Sequence, residues 1–434
     1  MRASATRCLS ESVAEDVPIA SPRTLLIVSG GPQTVPVIEE ARRLGIRVVV
    51  SDGAPDAPGF RLADAGLPAS TGDPEATVEA VQAYAARTPV DGVLAGAANV
   101  LQTVAAVTQA LGLGGVSIET AHLITDRLAM LDRLAAGGVP VPWHAAVASS
   151  RELERLARRA DRALVAKPVD ARSARAVVRL LRGVDPSWAF EVALAGSLRG
   201  SVMVEEFFPG AQVKAATVVV GGRTTTVALA DCRYDSLDSC APFIVEQGSD
   251  LPSRLSPAVV ERVTELVASA AAALGVQHGA VQTELVVDSR GPVLLDLITH
   301  LAGGHFWSHE IPLSTGVNLV AEAIHLALGD TPDAGALRPR WSGGVARRRF
   351  FLTAGTVVAV EGAAEVAWRE GIALLDVTVG PGTRAPGTTS RMHPAGTVIA
   401  VGDTREQAVA RAEAAVACVR IVTEAAGPAD ATLH

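Results

Sequence analysis

The stretch V-Q-T-E-L-V-V-D-S-R-G-P-V-L-L-D-L-I-T-H-L-A-G-G-H (281–305) is the one on which the reading of this chain turns. Its flanks are rich in Val and Leu, and Asp288, Ser289, Arg290, Gly291 and Pro292 carry turn chemistry, so two strands joined by a tight turn are expected. A hairpin symmetric about Arg290 sets Glu284 opposite Asp296, with Cβ atoms roughly 4.5–5.5 Å apart. Carboxylates that close repel unless something positive lies between them. A hard divalent cation, bound by their oxygens and completing its shell with phosphate oxygens, removes the problem. Two solvated carboxylates on an exposed sheet face are the alternative.

Around this hairpin lie 434 residues, enough for two to three domains at roughly 100–200 residues each. Hydrophobic residues are 49% and charged residues 19%, which supports a large core and argues against disorder. Aromatics are only 3%, too few for a base-stacking platform, and a net charge of −8 leaves no basic footprint for a polyanion, so nucleic acid is excluded as a partner. A small phosphorylated ligand in a locally basic cleft is not excluded. The four cysteines (Cys8, Cys232, Cys240, Cys418) form no C-x-x-C pair and read as reduced. No apolar run is long enough to span a membrane. Residues 1–22 lack an apolar signal core and read as a flexible tail, and a cytoplasmic location follows.

Taken in order, T-L-L-I-V-S-G-G-P (24–32), a helical pattern over 35–45 and I-R-V-V-V-S-D-G (46–53) make a βαβ unit. The glycine turn lacks a full G-x-G-x-x-G, so a dinucleotide site there is a weak reading. A helix from Pro74, a strand over 91–97 and a helix reaching Leu111 complete an open parallel sheet of about four strands over 23–115. Residues 117–142 have helical spacing with Arg127 and Arg133 on them, for which a solvated face is the default expectation. Lys167 ends the apolar strand R-A-L-V-A-K-P-V-D (162–170), and a hairpin-like element over 201–220 carries Glu205, Glu206 and Gln212 around a Pro-Gly turn. A helix over 257–275 leads into the opening hairpin, and another follows over 315–329. H-F-W-S-H (305–309) spaces two histidines by four, which on a helix puts both imidazoles on one face. A zinc site would need a third ligand, and pocket or structural roles are the alternative. The Pro- and Gly-marked segment 331–342 reads as a boundary before a small α+β lobe.

A βαβ domain, a Lys-Pro strand, an E-E-F-F-P-G turn and a carboxylate-bearing hairpin ending in Gly-Gly together resemble the ATP-grasp superfamily over about 23–425, with the carboxylate–amine (L-amino-acid, dipeptide) ligases as the nearest type. The resemblance implies a tail over 1–22, a pre-ATP-grasp domain over 23–115, an ATP-grasp domain over 116–330 and a C-terminal lobe over 331–434. It also implies ATP and Mg2+ as cofactors, and small-molecule carboxylate and amine substrates joined through an acyl phosphate. A homodimer is a further expectation from the family.

By resemblance, Arg127 and Lys167 serve the nucleotide, Glu205, Glu206 and Phe208 form the adenine hinge, and Gln212 takes the place of a ribose-binding acid. Glu284 and Asp296 match the magnesium carboxylates. His300 stands where a catalytic arginine is usual, and Gly303 and Gly304 follow it. Arg175 survives in the loop 171–177, whose other family glycines and serines are replaced. His305 and Arg391 are candidate substrate contacts. Ile298 replaces a frequent asparagine, and these departures motivate one alternative, a degenerate member that binds without turnover; an ATP-dependent carboxylase, which keeps the enzyme and changes its chemistry, is a separate one.

Overall fold

A computed structural model describes residues 22–96, 100–170, 176–234, 237–238, 240–301, 305–333, 335–385 and 394–424. The first sheet is parallel, in the order β3-β2-β1-β4, from β1 (Thr24–Val28), β2 (Arg47–Asp52), β3 (Ala65–Pro68) and β4 (Gly92–Ala95). Its strands are apolar on both faces because both are covered. Leu25 and Ile27 pack in one core with the helix α1 (Val35–Arg43), while Leu26 and Val28 pack in another with α2 (Pro74–Ala85) and α3 (Leu101–Leu111).

The expected single helical stretch over 117–142 is two helices, α4 (Ile118–Thr125) and α5 (Arg127–Ala136). Asp126 breaks them with an extended backbone, and its carboxylate caps α5 by accepting from the Ala129 N–H.

A second sheet, antiparallel in the order β5-β8-β6-β7, contains β5 (His144–Val147), β6 (Leu164–Pro168), β7 (Val178–Arg179) and β8 (Val202–Glu206). The helices Ser150–Arg159 and Pro186–Ala195 cover one face. The element over 201–220 is not a hairpin. Its two strands belong to different sheets, so Phe207–Gly210 form a crossing between them.

The central sheet has eight strands in the order β13-β12-β9-β10-β11-β14-β18-β16. They are β9 (Ala211–Val220), β10 (Arg223–Arg233), β11 (Gly248–Leu251), β12 (His278–Asp288), β13 (Gly291–Ile298), β14 (Gly344–Phe351), β16 (Ile372–Val377) and β18 (Pro394–Gly402). Three of these strands follow the segment 331–342, so the chain on either side of it shares one sheet. The strands β15 (Gly355–Glu361), β17 (Arg384–Ala385) and β19 (Arg420–Glu424) form a separate small sheet. Among the described residues no helix is long and apolar enough to cross a membrane, and Cys232 and Cys418 are free thiols.

The opening hairpin is β12–β13, and Glu284 does face Asp296, but the symmetry about Arg290 is wrong. The turn is two residues, with Asp288 paired to Gly291, and a bulge beyond Leu294 shifts the register by one before Glu284 is reached. Without the bulge the two carboxylates would lie out of register.

Candidate active site

Period-two alternation decides which side chains reach the site. On β12 and β13, Leu285 and Leu297 face the core packed by α5 and the helix Pro257–Ala273, and Leu294 joins them because the bulge at Leu295 resets the alternation before Asp296. Glu284 and Asp296 therefore face the opposite side. On β9, Lys214 pairs in register with Glu284. One row across three strands thus reads Asp296, Glu284, Lys214.

The second sheet supplies the other wall. Lys167 near the end of β6 and Glu205 on β8 are diagonal cross-strand neighbours, both buried, and their side chains form an ion pair. Burial lowers the Lys167 pKa, with Glu205 pulling against it. Arg127 joins the two sheets. Its backbone N–H donates to the Val169 carbonyl (3.0 Å), Nη1 donates to the Pro168 carbonyl (3.2 Å), and Nη2 donates to Asp296 Oδ2 (3.0 Å). Burial works against the Arg127 charge, yet Asp296 and Glu205 outweigh it and the pKa is raised. The solvated face expected for this arginine is therefore corrected, because α5 begins against the end of β6. Arg133 is exposed and pairs with Glu119 at 3.0 Å.

Among the described residues Glu284 forms no side-chain hydrogen bond or ion pair. Its pKa is raised, first by burial and then by Asp296 and Glu246, with Lys214 opposing. A buried carboxylate beside two others suits a hard cation with oxygen ligands. Among the described residues no group of three or more His, Cys, Asp or Glu could hold a metal, so two carboxylates are what these residues offer. For 305–309 no third zinc ligand stands among the described residues, in keeping with a pocket or structural role for its histidines. That segment is a π-helix over Phe306–Glu310, with the His305 and His309 rings 5.0 Å apart, edge to face.

At the crossing, the Glu206 N–H donates to the Trp143 carbonyl and the Phe207 N–H to the Ala163 carbonyl, each at 2.8 Å. Phe208 is buried beneath the Arg290 guanidinium, 4.6 Å from its ring centroid, and Glu206 lies 3.4 Å from Arg162. Gln212 is opposite Val286 on β12, near the same end of the sheet. His300 is buried, 6% exposed, two residues past the end of β13. Arg175, Arg391, Gly303 and Gly304 lie outside the described residues.

A second group of charges continues the row and was missed in the sequence. Lys214 pairs with Glu246, and Glu246 also takes Arg347 (2.6 Å) and Arg349 (3.3 Å). Arg347, fully enclosed, reaches Glu310 at 2.7 Å, and Ser249 donates to that same carboxylate. The three positive partners hold the Glu246 carboxyl well below the usual range despite its burial. A signal did exist: A-R-R-R-F-F places Arg347 and Arg349 on one face of a strand and Arg348 on the other, where it meets Asp250 at 2.6 Å. Arg347 and Arg349 line a cavity of about 440 Å³ bounded by the loop after β1, the π-helix, β14, β16 and β18.

Comparison with known proteins agrees with this architecture. Residues 38–115 match the ATP-grasp N-terminal domain, and residues 349–424 match the L-amino acid ligase C-terminal domain 2. The structure is similar to the L-amino acid ligase from Bacillus licheniformis, with a TM-score of 0.78 at 22% identity over 93% of this chain and 99% of that one. It is also similar to a phosphoribosylglycinamide synthetase from Anaerococcus prevotii, with a TM-score of 0.71 at 16% identity over 93% and 100%. Among curated sequences, the protein y4rH of Sinorhizobium fredii is 26% identical over 74% of this chain and 65% of its own. A formate-dependent phosphoribosylglycinamide formyltransferase of Synechococcus is 30% identical over 43% and 48%. The chain thus spans about half to two thirds of the length of these curated relatives. The chain thus carries an ATP-grasp N-terminal domain over 38–115 and an L-amino acid ligase C-terminal domain 2 over 349–424, and its fold is that of the L-amino acid ligase structure across the middle.

Proposed function

We propose that the protein is an ATP-dependent ligase that joins a small-molecule carboxylate to an amine through an acyl phosphate, releasing ADP and phosphate. The observation that carries this is the meeting of Lys167, Arg127, Glu284 and Asp296 where two sheets face each other. Phosphoryl transfer asks a protein for little beyond positioning and charge neutralisation. Lys167 and Arg127 are the cations for the phosphates, and ion pairs within the protein hold both in place. The backbone crossing at Phe207–Gly210 and the buried Phe208 bound the base, and Gln212 accepts a ribose hydroxyl. Glu284 and Asp296 would hold Mg2+, which would neutralise charge on the phosphates. His300 sits beyond Asp296 on the same strand end and contacts the reacting carboxylate. A cytoplasmic, homodimeric protein completes the reading, and size-exclusion chromatography tests the dimer.

The degenerate reading has one observation in its favour: both candidate phosphate cations are already paired with acids. Turnover decides. Purified protein with ATP, Mg2+ and pooled carboxylates and amines should release ADP and give coupled products by mass spectrometry. Magnesium-dependent ATP binding by calorimetry, with no ADP from any pair, would favour the degenerate reading.

A further inference from the structure

The cavity beside Arg347 and Arg349 contains chemistry that the phosphate site does not use. His305 lines it, with a positive φ of 44°, directly before the π-helix. Positive φ is strained for a non-glycine residue, and π-turns are enriched at functional sites. Among the described residues the buried His305 Nδ1 atom has no hydrogen-bond partner, nor has the Nε1 of Trp307 in the same wall. Buried imidazole nitrogens are ordinarily paired, so this one is open to a partner that the described residues do not provide. Across the cavity, Asp376 forms no hydrogen bond or ion pair among the described residues, and its charge acts on His305.

We infer that His305 is the proton acceptor for the attacking amine, with Asp376 as counter-ion to the amine on arrival and to the imidazolium afterwards. The inference rests on the ligase reading above. The amine enters as an ammonium ion beside Asp376 and loses one proton to water. Its lone pair then forms the C–N bond to the acyl carbon while the C–O bond to phosphate breaks, the electron pair leaving on the phosphate oxygen. The second nitrogen proton passes to His305 Nδ1 and on to water, from which the departing phosphate takes one in return. Amine plus acyl phosphate becomes amide plus hydrogen phosphate, with no further reactant.

The surroundings hold His305 in its accepting form. Burial lowers its pKa, and His309 and Arg347 lower it further, while Asp376 and Glu310 oppose them more weakly. His309 is likewise lowered by burial, and its Nδ1 is 2.9 Å from the Ser308 hydroxyl. Arg349 adds positive charge to the same cavity. Burial, His309 and Arg347 thus outweigh Asp376 and Glu310 and favour a neutral imidazole, as a base working at neutral pH requires.

The test separates the two halves of the reaction. Full-length protein is given ATP, Mg2+ and the twenty amino acids as carboxylates. The nucleophile is either hydroxylamine, largely uncharged at neutral pH and reactive without a base, or the amino acids themselves. Hydroxamate reports acyl phosphate formation, and amide reports the complete reaction. His305→Gln is expected to keep hydroxamate formation, to lose amide formation by about 100-fold or more, and to lose the acid limb of the pH–rate profile. Asp376→Asn is expected to raise KM for the amine more than it lowers kcat. Amide formation by His305→Gln at the wild-type rate across pH overturns the inference. Parallel loss of hydroxamate and amide also overturns it, by assigning the side chain to the fold or to the first half-reaction. A wild-type protein that makes neither product removes the ligase reading itself.

Discussion

Glu284 shows how one side chain can work against stability and for function. Its pKa is raised by burial and by neighbouring acids, so its ionisation is a cost to the fold. For an acid whose folded pKa is raised, the stabilisation present at low pH is lost as pH rises through that folded value. At neutral pH, Glu284→Gln should therefore raise the melting temperature of metal-free protein while lowering magnesium-dependent turnover by roughly 100-fold or more. Differential scanning fluorimetry with and without Mg2+ checks the first part, and ADP release checks the second. Glu246 has the opposite sign. Its carboxyl is depressed, so its stabilisation is complete above the unfolded value of about 4.3 and disappears on acidification. Glu246→Gln leaves Lys214, Arg347 and Arg349 short of their shared anion and should cost about 3–5 kcal/mol at pH 7, read by urea unfolding. The variant should also lose part of the acid sensitivity below about pH 4 seen in wild type.

The elements show where the sequence was enough and where it was not. Patterns of period two and 3.6 are local, so the parallel first sheet, the helix before the hairpin and the hairpin itself could be read directly. The Glu284–Asp296 pairing was also legible, although a bulge rather than a symmetric turn produces it. Segment 201–220 was misread because a Pro-Gly turn between two apolar strands has the local chemistry of a hairpin. Only the tertiary pairing shows that β8 and β9 go to different sheets. Arg127 could not be distinguished from Arg133 by helical position; the docking of α5 on β6 makes the difference. Lys214 and Glu246 are 32 residues apart in the chain, a separation at which a single sequence has no periodicity to offer. The crossing can be tested at Gly210, where a Cβ would lie 2.7 Å from Val286 Cγ1 and 2.7 Å from the Val287 carbonyl oxygen. Gly210→Ala should push the end of the crossing and the start of β9 away from β12, costing about 1–3 kcal/mol and raising KM for ATP. A KM unchanged alongside that loss of stability would separate the crossing from the nucleotide.

At the scale of the whole molecule, the first sheet and the central body are fitted together more closely than a flexible linker would allow. Gly92 on β4 lies against the helix Leu319–Ala327, and a Cβ there would be 2.4 Å from the Ala327 carbonyl oxygen. Arg23 and Asp330 join the same two regions at 2.8 Å, an exposed pair of small worth. Gly92→Ala should therefore destabilise by about 1–3 kcal/mol and increase protease cleavage between the two regions, while Arg23→Ala should change either measurement little.

The strands after residue 342 raise a different question, one of inheritance. β14 hydrogen-bonds to β11 and also presents Arg347 and Arg349 to the cavity. Recombination between related genes at 331–342 would therefore exchange three of the eight strands of the central sheet and a wall of the cavity together. Chimaeras joined there should take their amine preference from the downstream parent, and selection can change that preference only with changes the shared sheet tolerates.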